Sequence, residues 1–133
     1  MNKKFLVAVL TMFVLSMLLG FLIHEVLLGP DYAQLGALFR GPADSAHYFP
    51  WMLLAHVLTA VGFVWIYMRG HEDKPFLQQG LRYGLAVAVL ATIPGYLIYY
   101  AVQPMPGMLV AKQIVFSSIG TVLMGIALAR IYR

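Results

Sequence analysis

The sequence predicts an all-α integral membrane protein built as a four-span antiparallel helical bundle, and three observations predict it. The 133 residues are 62% hydrophobic and 11% charged, with a mean hydropathy of +0.82. A soluble domain carries about 25% charged residues, and one this small buries only part of its apolar surface. Four apolar windows each supply the roughly 20 residues that cross about 30 Å of hydrocarbon. Lysines and arginines gather at the ends of those windows.

Span one covers residues 5–28. Lys3 and Lys4 precede it as they would in a signal peptide. The run exceeds the roughly 7–15 residues of a secretory apolar core, however, and no small-x-small cleavage site follows. It is expected to stay as an uncleaved span. The loop at 29–48 is long, and after Pro30 and Asp31 it places Tyr32, Leu35, Leu38 and Phe39 at helical spacing. That predicts a short amphipathic helix at the outer interface, or a simple lid over the bundle end.

Span two covers 49–68, and the polar RGHEDKP that follows is a short turn. Span three covers 81–102. Its Pro94 predicts a kink, with Thr92 placed to satisfy the freed backbone groups. Span four covers 108–131. Small residues at Gly80, Gly84, Ala88 and Gly95, and at Ser117, Thr121 and Gly125, form stripes that let helices approach closely. Such stripes serve packing inside the bundle or against another membrane subunit. Tyr48, Trp51, Trp65, Tyr67, Tyr83 and Tyr132 stand near span ends, as interfacial anchors do.

Orientation follows from the cations. Lys3, Lys4, Arg69, Lys74, Arg82, Arg130 and Arg133 fall on one side of the four spans, and the opposite side has Arg40 alone in its loop. The positive-inside rule therefore puts the N and C termini in the cytoplasm, with the protein in the cell membrane. The remaining cation, Lys112, lies inside span four. A net charge of +4 distributed over span ends gives no clustered patch for nucleic acid. The absence of cysteine excludes disulfides, thiol redox chemistry and cysteine-held metals.

Two pairs of segments look alike. GFLIHEVLLGP at 20–30 shares Gly, Leu and Ile in register with GYLIYYAVQP at 95–104, and PWMLLAH at 50–56 shares Pro, Met, Leu and Ala with PGMLVAK at 106–112. Their common order predicts two helical-hairpin repeats, residues 5–68 and 81–131, within a single membrane domain. Both would enter from the cytoplasm, so they are parallel repeats about an axis along the membrane normal.

The repeat aligns His24 and Glu25 with Tyr99 and Tyr100, and His56 with Lys112. At about 1.5 Å per residue, all six fall in the outer third of the bilayer, where they would form one polar cluster. Ionisable groups in a span cost about 2.5–3.5 kcal/mol at mid-span and turn toward partners. One expectation is a satisfied network, with Glu25 paired to Lys112.

Another is a site for a metal, a haem iron or a quinone headgroup, although no HxxxH or ExxH pair marks a metal-binding helix face. A third is proton- or cation-coupled transport through Glu25. Compact four-span transporters resemble the chain in size and use a membrane glutamate. Catalysis is the least supported class, since no serine stands beside a base, no glycine-rich phosphate loop occurs and no carboxylates pair. The function expected is non-catalytic binding or assembly in the lipid bilayer, alone, as a homo-oligomer or within a larger membrane complex.

Overall fold

The computed structural model describes residues 2–133. Every regular element among them is helical. They are α1 (Lys3–Phe21), a π-helical segment (Leu22–Leu27), α2 (Gly29–Ala33), a 3-10 turn (Gly36–Leu38) and α3 (Pro42–Gly70). After these come α4 (Phe76–Val87), a second π-helical segment (Ala88–Thr92), α5 (Ile93–Val102) and α6 (Gly107–Ile131). Four continuous stretches are long and apolar enough to cross a membrane: Lys3–Leu27, Pro42–Gly70, Phe76–Val102 and Gly107–Ile131. Only 6 to 28% of each apolar window is buried inside the protein, so most of this surface faces outward. Contiguous apolar surface of that extent suits hydrocarbon rather than water.

Spans two and three begin earlier than hydropathy predicts, at Pro42 and Phe76. The extra start of α3, PADSAHY, is polar, so an apolar window does not include it. It is nevertheless a good first turn. Proline's fixed φ suits the first helical position, Asp44 is the acidic residue there, and the Ser45 N–H donates to the Gly41 carbonyl at 2.8 Å. Two consequences follow. His56 becomes the middle residue of the 29-residue α3, deeper along the helix than the apolar run alone places it. Pro50 falls inside the helix, and its missing N–H leaves the Ala46 carbonyl without the usual donor.

The contacts group into two compact units, the chain up to Phe63 and Val64–Arg133. In the first, the Asn2 side chain caps α1 by accepting from the Lys4 N–H at 3.0 Å. Met12, Ala8 and Leu28 are fully buried. The π-helical segment holds His24 and Glu25 and closes with Leu28 N–H donating to the Ile23 carbonyl at 2.9 Å. The amphipathic helix expected over 32–39 is shorter in fact. α2 ends at Ala33, and Leu35, Leu38 and Phe39 lie beyond it in the 3-10 turn and its flanks. Tyr32 instead turns inward onto His24.

In the second unit the glycine stripe is used by α4 against α6. A Cβ on Gly84 would lie 2.5 Å from Val122 Cα and 3.0 Å from the Thr121 carbonyl oxygen. A Cβ on Gly125 would lie 2.5 Å from the Gly80 carbonyl oxygen. Backbones this close admit only glycine, so this part of the stripe serves packing within the unit rather than an outside subunit. Gly95, by contrast, stands in open space.

Further along, Tyr96 Oη and Ser117 Oγ lie 2.9 Å apart, and Thr92 Oγ1 and Thr121 Oγ1 lie 3.1 Å apart. Thr92 thus bonds across to α6 instead of repairing the backbone under Pro94, as expected. Just before the proline the helix makes a π-helical turn, in which the Ile93 N–H reaches the Ala88 carbonyl.

Tyr67 is the centre of an aromatic group. It is 4% exposed, edge-on to Tyr83 at 5.2 Å, stacked on His71 at 5.5 Å and beside Tyr132 at 5.9 Å. Tyr83 and Tyr132 thus both pack on Tyr67. The turn after Gly70 is likewise organised: the Glu72 carboxylate binds Lys74 and Arg82, and its carbonyl accepts from the Gln79 amide. The Lys74 hydrogen bond, then the charges of Lys74 and Arg82, hold the Glu72 carboxyl below the usual carboxylate range.

Candidate functional site

The first unit holds an open-sided cavity of about 740 Å³ between α1, its π-helical extension and α3. That volume is within the roughly 300–1,000 Å³ of small-molecule sites. Its lining is written in two helical stripes. From α1 and the π segment come Met17, Gly20, Phe21, His24 and Glu25; from α3 come Pro42, Ser45, Ala46, Phe49, Met52 and His56. Spacings of three and four residues put each set on one helix face. Along α3 the cavity runs from Pro42 to His56, about 20 Å at 1.5 Å per residue.

His56 closes the inner end. Its Nδ1 lies 2.9 Å from Ser16 Oγ, and Ser16, only 6% exposed, donates its hydroxyl hydrogen to the Phe13 carbonyl at 2.9 Å. A serine has one hydrogen to give. With that hydrogen on the Phe13 carbonyl, the bond takes the Nδ1–H tautomer of His56, which keeps Nε2 as an acceptor. The Cε1–Nε2 edge lies over Gly20, where a Cβ would sit 3.5 and 3.7 Å from those atoms.

His24 and Glu25 occupy the other end, in the π-helical turn. Such turns insert an extra residue and are frequent at functional sites. His24 Nδ1 lies 2.8 Å from Tyr32 Oη, with the rings stacked at 5.9 Å. Phe39 meets Tyr32 edge-on at 5.1 Å. The loop thereby continues the cavity into an adjoining one of about 590 Å³, which shares His24, Glu25 and Ser45 and adds Arg40. Arg40 is engaged elsewhere, 3.0 Å from Asp44 and 3.6 Å over the Tyr48 ring. The Asp44 hydrogen bond raises its guanidinium further above an already high ordinary pKa. Glu25 is exposed, with His24 beside it as its charge neighbour in the π-helical turn.

The six residues expected to form one polar cluster divide between the units. His24, Glu25 and His56 line the first unit's cavity. Tyr99, Tyr100 and Lys112 belong to the second unit. There Tyr99 is 56% exposed, the Tyr100 hydroxyl sits where a Cβ on Gly107 would be 3.3 Å away, and Lys112 is half-buried on α6. The π-helical segments also fall at unlike places in the two hairpins, over His24 and Glu25 in one and before Pro94 in the other.

Sequence reasoning missed Ser16, Tyr32, Ser45 and Pro50 as parts of the site. Ser16, Gly20 and His24 do recur every four residues in an otherwise apolar run, which was the available signal. Among the described residues, no three His, Asp or Glu side chains gather closely enough to hold a metal ion. No family model, curated protein or solved structure matches the chain.

Proposed function

We propose that this is a small multi-pass protein of the cell membrane with a non-catalytic role, and that its first hairpin binds a membrane-soluble small molecule. The observation that carries the reading is the cavity of about 740 Å³ between two apolar helices, with an acid and two imidazoles among mainly apolar side chains. Sites for small molecules combine an apolar lining with a few placed polar groups in this way. Ionisable groups within a span serve a function by default, because insertion alone disfavours them.

The outward apolar surface of the four helices supports residence in a bilayer. The arginine and lysine distribution supports cytoplasmic termini. The loop carrying Tyr32 and Phe39 would then cover the cavity's outer end. The matching segments at 20–30 and 95–104 support a duplicated hairpin, whose second copy carries Tyr99, Tyr100 and Lys112 at the positions of His24, Glu25 and His56.

Native mass spectrometry of protein taken directly from its membrane tests the binding reading. The expected result is a small-molecule adduct at one per chain, lost in Ala46→Trp, which fills the cavity. No adduct, or one retained by folded Ala46→Trp, would overturn it.

A further inference from the structure

We infer that the ligand of this cavity is a lipophilic cation, an ammonium-bearing amphiphile whose charged head sits at Glu25 and whose apolar body extends toward His56. The inference rests on the binding role proposed above for the cavity and adds the chemistry of its occupant.

The argument is one of charge and hydrogen-bond inventory. Glu25 is the one acidic side chain lining the cavity, and no lysine or arginine lines it. The nearest cation in the adjoining cavity, Arg40, is held by Asp44 and the Tyr48 ring. The charge neighbour of Glu25 within the unit is His24, whose Nδ1 is engaged by Tyr32 Oη. An ionised carboxyl on the lining of a mainly apolar cavity is stabilised most by an opposite charge, and a cationic head supplies one.

Three other polar groups accept, while His24, bonded to Tyr32 Oη, can give or take a hydrogen. In the Nδ1–H tautomer that lets Ser16 donate to Phe13, His56 presents an unprotonated Nε2. The Ser45 hydroxyl gives its hydrogen to the Arg40 carbonyl at 3.3 Å. The Ala46 carbonyl lacks its helical donor because of Pro50. An anionic or purely acceptor ligand would meet acceptors at those three points and a carboxylate at Glu25. Between the ends, Phe21, Phe49, Met17 and Met52 provide the apolar surface. Two aromatic rings and two thioethers suit an alkyl or aryl body and a nearby cation.

The test uses full-length protein in phosphatidylcholine nanodiscs, with equilibrium dialysis of two probes of like shape: N-benzyloctylamine, protonated at pH 7, and neutral benzyl octyl ether. Empty nanodiscs are the reference for partition into lipid. The amine should bind wild type at least about tenfold tighter than the ether, since removing one member of a desolvated charge pair typically costs that or more. Glu25→Gln should abolish the difference, and Ala46→Trp or Met52→Trp should weaken both probes.

Equal binding of amine and ether, blocked by either tryptophan, overturns the cation and leaves the cavity as a binding site. A preference for the amine that survives Glu25→Gln also overturns it. Binding of neither probe above empty nanodiscs, in wild type and both tryptophan variants alike, overturns the cation and the binding role together.

Discussion

Ser16 and His56, 40 residues apart in the chain, meet through a 2.9 Å hydrogen bond between Ser16 Oγ and His56 Nδ1. Ser16 is turned toward α3 by its own bond to the Phe13 carbonyl, and the pair sets both the ring orientation and the acceptor nitrogen at the inner end of the cavity. Ser16→Ala removes one bond inside a low-dielectric interface and leaves Nδ1 unpartnered. The expected loss is about 1–2 kcal/mol, read as a shift in the unfolding midpoint in detergent micelles. No shift would mean that His56 is oriented by something else.

Glycines in the two units should respond very differently to the same substitution. Gly84→Ala drives a Cβ into the α6 backbone, 2.5 Å from Val122 Cα, and should destabilise by about 1–3 kcal/mol or more. Gly20→Ala meets only the His56 ring edge at 3.5 Å, an ordinary contact. It should change stability by less than about 0.5 kcal/mol. Thermal unfolding of both variants in the same micelles makes the comparison.

Glu25→Gln addresses the ion pair with Lys112 that the sequence suggests. Breaking a buried pair typically costs about 3–5 kcal/mol. The cavity reading, in which the partner of Glu25 is a ligand, predicts a loss below about 1 kcal/mol for ligand-free protein. A large loss, rescued by adding Lys112→Met, would instead assign Glu25 to a structural pair.

The turn after Gly70 carries a pH dependence of known sign. Hydrogen bonding and charge from Lys74, with Arg82 beyond, lower the Glu72 carboxyl from its usual 4.5. A carboxyl depressed in the folded state contributes stability above its unfolded value, and that contribution is lost as pH falls through the folded one. Wild type should therefore exceed Glu72→Gln in unfolding midpoint at pH 6–7, with the gap closing below about pH 4.5. A gap that stayed constant down to pH 3 would remove the ion-pair account.

Topology is testable by fusions. Green fluorescent protein after Arg133 should fluoresce and alkaline phosphatase there should stay inactive, whereas phosphatase inserted at Gly36 should be active. The reverse pattern would invert the membrane orientation.

The four apolar helices were legible because a 20-residue apolar run has few other folded outcomes. Their starts were not: PADSAHY adds helix in polar residues that hydropathy ignores, and this moves His56 to the middle of α3. The first-hairpin residues of the candidate site, His24, Glu25 and His56, stood out as ionisable groups in apolar surroundings. Their partners Ser16 and Tyr32 did not, because small or aromatic residues are ordinary in spans and a bond across 40 residues leaves no local mark. The Gly80–Gly84 stripe was visible as a close-approach signal, yet spacing alone does not say which helix approaches. Three-dimensional packing against Gly125 and Val122 supplies that answer.

A crystal structure of the protein purified from its own membrane, without added ligand, tests the central claim most directly. The account predicts an elongated molecule between Phe21 and Phe49, its polar end within hydrogen-bond distance of Glu25 and its other end near His56. A closed interface, with Phe21 packed against Phe49 and no space between α1 and α3, would contradict it.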